Sequence, residues 1–252
     1  MSWERHGGLR AAIAQLAAQI MYGEHVKQFF TAKRLAAKRL LGRAGARNAR
    51  YRPRDLPSNG EIKAALLELV LEIEGESHET RLFAMRILAL EAMDALPELR
   101  PRLIGSVATG HVRDGSDVDI HVFAEHPDEV VRRVRALGWT FEQKIVHILK
   151  QGKPQSFVHL HVVDLFPLEL TIYDPRELRI RPRSSTDGKP IVRLTPSALR
   201  KRLSVDHPER WQRYLTSGEV PTLDEIMVDE EETHSLSPDL ELDDSTPNPE
   251  HT

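Results

Sequence analysis

Two aspartates two positions apart, Asp117 and Asp119, sit where this chain gathers side chains of complementary chemistry. The run IGSVATGHVRDGSDVDIHVF, residues 104–123, places Gly105-Ser106 ten residues ahead of that pair. From Asp117 onward the run alternates as a strand does. Val118, Ile120 and Val122 can face a core, while Asp117, Asp119 and His121 share the other face. Carboxylates two apart on one strand face stand roughly 6–7 Å apart at the backbone, so their side chains can converge on a divalent cation. Mg²⁺ takes one or two carboxylates, keeps several waters and accepts its remaining ligands from a substrate phosphate. Gly105 lets a phosphate approach the main chain. The Ser106 hydroxyl and the N–H groups that open the next helix can hold anionic oxygens. A phosphate grip beside a carboxylate pair is equipment for phosphoryl or nucleotidyl transfer. The plain alternative is a chance Gly-Ser turn before an edge strand.

Gly105-Ser106, ten residues and then Asp-x-Asp within an apolar strand resembles the signature of the DNA-polymerase-β-type nucleotidyltransferase superfamily. The likeness extends to its small bacterial members through Ala108-x-Gly110-x-x-Arg113-x-x-Ser116-Asp117-x-Asp119, with Val107 where many members carry arginine. The resemblance implies an α+β fold, a short mixed β-sheet flanked by helices, and Mg²⁺-dependent transfer of a nucleoside monophosphate from a triphosphate such as ATP to a hydroxyl. Acceptors in that superfamily include RNA 3′ ends, proteins and small molecules. Two ions are implied, with Mn²⁺ as a substitute, and Gly105, Ser106, Arg113 and Ser116 are implied as phosphate contacts. Arg113 is an extra phosphate or loop-ordering contact, with a surface salt bridge as the competing assignment.

The same likeness implies a third acidic ligand on a later, neighbouring strand. Glu169 is the candidate, because Leu168, Leu170 and Ile172 point to a core and Glu169 and Thr171 share the opposite face. It would share a second ion with Asp117 and Asp119 and could take the acceptor's proton. Asp164 and Asp174 are rivals at strand ends, where aspartate also serves turns. His159 and His161 share one strand face with His121 on the same side of the sheet, and read as a solvated or substrate-facing edge ahead of a metal site. With no cysteine and no His-Glu-x-x-His pattern, a zinc enzyme is not expected.

These residues need elements to hold them. Ser58-x-x-Glu61 is a capping box that starts a helix with an apolar stripe through Ile62, Leu66, Leu69 and Ile73. A helix over about 79–96 is apolar around most of its circumference and leads to the Leu103-Ile104 strand. Residues 127–137 read as a helix stopped by Gly138, and 139–150, 157–163 and 168–173 as strands, the last two forming a hairpin or meander. Short helices follow from Thr195 and from His207.

The outer segments differ in charge. Residues 1–60 carry twelve Lys and Arg against three Asp and Glu, whereas 224–252 carry eleven acids and no Lys or Arg. Residues 1–57 read as a basic helical extension broken at Gly42–Gly45, 58–223 as the nucleotidyltransferase domain and 224–252 as a disordered acidic tail. Lys33, Arg34, Lys38 and Arg39 read as a solvated helix face ahead of a nucleic-acid patch. No apolar run is long enough for a membrane span and no signal segment is visible, so a cytoplasmic protein is expected. A non-catalytic binding module, antitoxin-like or nucleic-acid-binding, is the alternative function.

Overall fold

The computed structural model describes residues 3–24, 26–48, 56–113, 115–150, 153–184, 188–222 and 224–226. The linker expected through Arg52-Pro53-Arg54 and nearly all of the expected acidic tail lie outside the described residues. Among the described residues the elements follow in the order α1 (Trp3–Gly23), α2 (Phe29–Asn48), α3 (Asn59–Glu74), α4 (Glu76–Ala95), β1 (Arg102–Leu103), α5 (Gly105–Thr109), β2 (Val118–Phe123), α6 (Pro127–Ala136), β3 (Phe141–Lys150), β4 (Lys153–Val162), β5 (Leu168–Tyr173), α7 (Pro196–Asp206) and α8 (Pro208–Ser217). The fold is α+β, a five-stranded mixed sheet flanked by helices.

The sheet order is β1-β2-β5-β4-β3. Strands β3, β4 and β5 form an antiparallel meander, and β5 returns parallel to β2. Alternation supplies the core face: Val118, Ile120 and Val122 of β2 and Leu168, Leu170 and Ile172 of β5 are all buried. They join α4, α6 and α7 in one apolar cluster that includes Phe83, Val130 and Leu199. Helix α4 is buried around most of its circumference, as its composition predicts.

The His121 side of the opposite face differs from the solvated or substrate-facing edge that the sequence suggests. His121, Phe123, Phe157 and Thr171 are buried there. The segment between β5 and α7 covers it. Arg193 from that segment lies over the rings of Phe123 and Tyr173 and donates 2.8 Å to the Ile180 carbonyl. Asp119 and Glu169, at the other end of these strands, are partly exposed.

A second apolar cluster joins α1, α2 and α3 through Ile13, Ile20, Ala36 and Ile62. Glu61 completes the predicted capping box with Ser58 and also accepts twice from the Arg10 guanidinium. The predicted break at Gly42–Gly45 is absent, since α2 continues to Asn48. Each glycine costs about 1 kcal/mol in a helix, which flanking leucine, alanine and arginine tolerate. Arg39 pairs with Glu24 and Lys33 donates to Asn59, so two of the four highlighted cations hold these helices together.

Arg86 fastens the helical layer to the loop that precedes β2. It is 1% exposed, yet donates from Nη1 to Asp206 at 2.8 Å and from Nε to the Val107 carbonyl of α5 at 3.3 Å.

Candidate active site

Asp119 and Glu169 are direct partners across the parallel β2–β5 pair. Parallel pairing forces this. Both strands place their apolar residues on the core face, so the residue opposite Asp119 on the other face must come from the Glu169–Thr171 set. Asp117 directly precedes β2, and the Val118 N–H is tied to the Pro167 carbonyl at 2.8 Å, which locks the start of both strands together. All three proposed carboxylates therefore gather at one end of the sheet.

Gly105 closes the other side of this cluster. Its φ is +73°, and a Cβ added there would lie 2.2 Å from Asp119 Oδ2. The backbone turn between β1 and α5 thus sits against the carboxylate. The Ile104 N–H, bonded at 2.9 Å to the Asp119 carbonyl, holds that approach. Only glycine meets both demands, left-handed backbone and no side chain. Ser106 lies in the first turn of α5, and its carbonyl accepts from the His111 N–H at 2.9 Å.

Burial and the neighbouring Glu169 and Asp117 charges push the Asp119 carboxyl up to about 7. A cation between the carboxylates would remove the repulsive part of that shift. The rivals hold other posts. Asp164 accepts from the Leu165 N–H at 2.6 Å in the β4–β5 turn, and Asp174 caps the 3-10 helix Pro175–Arg179.

Arg113 and Ser116 order the loop. Ser116 Oγ accepts from the Arg113 N–H at 2.9 Å, and the Arg113 guanidinium donates 3.3 Å to the Met21 carbonyl at the end of α1. The Arg113 side chain is therefore engaged with the N-terminal helices, the loop-ordering role.

The meander brings further groups beside Glu169. His161 is its register partner on β4, and His159 is the partner of Thr171. His159 Nδ1 lies 2.6 Å from Glu169 Oε1 and His161 Nδ1 lies 3.7 Å from Oε2. Thr171 donates its hydroxyl to Oε1 at 3.2 Å. His121 is not part of this group. It packs at a tilt against Tyr173 with ring centres 4.4 Å apart, and its Nδ1 lies 3.2 Å from Arg193 Nη2. Arg193 was not foreseen, because nothing around it in sequence marks it as different from the other arginines.

Rows across the sheet therefore change in character along the strands. The first holds His161, Glu169 and Asp119; the next holds His159, Thr171 and His121; aromatic Phe157, Tyr173 and Phe123 close the face. Among the described residues no helix is long and apolar enough to cross a membrane. No family model, curated protein or solved structure matches this chain.

Proposed function

We propose that this chain is a cytoplasmic nucleotidyltransferase of the DNA-polymerase-β type, moving a nucleoside monophosphate from a triphosphate such as ATP to a hydroxyl on RNA, a protein or a small molecule. The observation that carries the reading is the in-register pairing of Asp119 with Glu169, with Asp117 adjacent and the Gly105 backbone against the Asp119 carboxylate.

The donor type suits the implied cation. Three carboxylates without thiolate suit Mg²⁺ or Mn²⁺, which favour oxygen ligands. Asp117, Asp119 and Glu169 would hold it. Bound there, Mg²⁺ would neutralise triphosphate charge and lower the pKa of the acceptor hydroxyl.

The remaining work falls to the chain. Gly105 and Ser106 present backbone N–H groups and a hydroxyl to the terminal phosphates. The acceptor oxygen bonds to the α-phosphorus while the α–β phosphoanhydride bond breaks and pyrophosphate departs. Glu169, steadied by Thr171 and His159, accepts the hydroxyl proton. Asp117 and Asp119 would position the reacting phosphate only through the cation they hold, since carboxylates alone repel it.

Incubation with each labelled triphosphate, Mg²⁺ or Mn²⁺ and cell extract tests the reading. Label should appear on an acceptor with the wild-type chain and vanish with Asp117→Asn. Labelling that survives Asp117→Asn and Asp119→Asn at wild-type rate, or no labelling under any of these conditions, overturns it.

A further inference from the structure

The geometry points to a transition-metal site formed by His159, His161 and Glu169, which shares Glu169 with the proposed carboxylate site but is set apart from it by its imidazole ligands. Two imidazole nitrogens and one carboxylate oxygen lie within 4.8 Å of one another. Strand geometry builds the group: His159 and His161 are two apart on β4, hence on one face, and both neighbour the Glu169–Thr171 stretch of β5.

Each Glu169 oxygen faces a different ring, Oε1 toward His159 Nδ1 at 2.6 Å and Oε2 toward His161 Nδ1 at 3.7 Å. The rings lie within 27° of parallel, with centres 6.3 Å apart. Zinc bonds of about 2.0–2.2 Å set tetrahedral ligand atoms roughly 3.3–3.5 Å apart. The two histidine–Glu169 spacings bracket that value, and all three ligand atoms lie within 4.8 Å of one another. The side chains are 16% (His159), 36% (His161) and 22% (Glu169) exposed, shielded yet open to an entering ion. Lys144, on the same face, is the register partner of His159 and is paired at 3.0 Å with Glu142. Its charge is thereby partly offset.

Ligand type selects the ion. Mixed nitrogen and oxygen donors suit Zn²⁺, Co²⁺ or Ni²⁺, whereas Mg²⁺ prefers oxygen alone. Three protein ligands leave a fourth position for water or substrate.

The test uses the full-length chain, stripped with chelator and titrated with Co²⁺ by visible absorption and with Zn²⁺ by calorimetry, both in excess Mg²⁺ and without nucleotide. The wild type should bind one ion with the d–d spectrum of a four-coordinate imidazole site. His159→Ala or His161→Ala should weaken that ion at least ~100-fold, since loss of outer-shell partners alone costs 10–100-fold. Asp117→Asn should leave it within a few-fold. Circular dichroism confirms that the variants are folded. The site is refuted if the wild type binds no more tightly than the double histidine variant, or if Asp117→Asn removes the ion as completely as the histidine changes do. Neither result bears on whether a triphosphate is turned over, so the two readings fail separately.

Discussion

Replacing Asp119 with asparagine should make the metal-free protein more stable, by an amount that depends on pH. Asp119 lies beside Glu169 and Asp117, and burial together with those charges raises its carboxyl from 3.8 to about 7. A folded-state value above the unfolded one favours the protonated form. Its contribution to stability is fully present below about pH 4 and is lost as pH rises through about 7. At pH 8 the folded chain holds an ionised Asp119 at a cost of at most about 4 kcal/mol, and at pH 5 at less than half of that. Solvent reaches the site, so we take about 2–3 kcal/mol as the working figure at pH 8. Asparagine keeps the shape and removes the charge. For a chain of this size the gain corresponds to roughly 4–12 °C in melting temperature. Thermal unfolding of wild type and Asp119→Asn with EDTA, at pH 8 and pH 5, measures it. Mg²⁺ should recover much of the difference for the wild type at pH 8 and little for the variant. Equal shifts at both pH values, or destabilisation at pH 8, would refute the charge argument.

Other consequences are checked more directly. Glu169→Gln should slow the chemical step by orders of magnitude while leaving triphosphate affinity nearly unchanged, as single-turnover kinetics beside equilibrium titration would reveal. Gly105→Ala should cost at least about 1–2 kcal/mol for its left-handed backbone alone. Because its Cβ would also displace the Asp119 carboxylate, transfer should fall with it. Arg86→Ala should destabilise the fold by about 3–5 kcal/mol in chemical denaturation, because Asp206 and the Val107 carbonyl lose a buried partner. Arg34 and Lys38, exposed on α2, are the cations there to neutralise when testing for a polyanionic acceptor. Arg34→Ala with Lys38→Ala should weaken such an acceptor and flatten its salt dependence, with triphosphate binding unaffected.

Much of the site's local geometry is legible in residue order, since alternation assigns Asp119 and Glu169 to the faces opposite their apolar neighbours. Their adjacency is not a local property. The chain crosses from β2 through α6, β3 and β4 before β5 inserts between β2 and β4, and no pattern within either strand specifies that insertion. His121 shows the same limit from the other side. Its alternation is that of Asp119, yet a segment seventy residues later supplies the Arg193 and the cover that bury it. Arg113 belongs to a loop whose spacing suggests phosphate contact, and its partner is a carbonyl 92 residues earlier. Periodicity reports which way a side chain points along its own element; it carries nothing about which distant backbone arrives there.

The arrangement around Asp119 also bears on why such a cluster exists in the fold at all. A solvated strand face can space its acids apart, as charge repulsion favours. Here a parallel register opposes Asp119 to Glu169, and a turn that only glycine can make approaches the Asp119 carboxylate from the remaining side. Both features raise the cost of ionising Asp119, and neither is needed to bury the apolar face beneath. On the β4 side the same Glu169 meets two imidazoles, which can share a metal with it. Glu169 thus stands between a side of the site rich in oxygen donors and a side rich in nitrogen donors. An ion entering from either side gains its ligation at the other's expense.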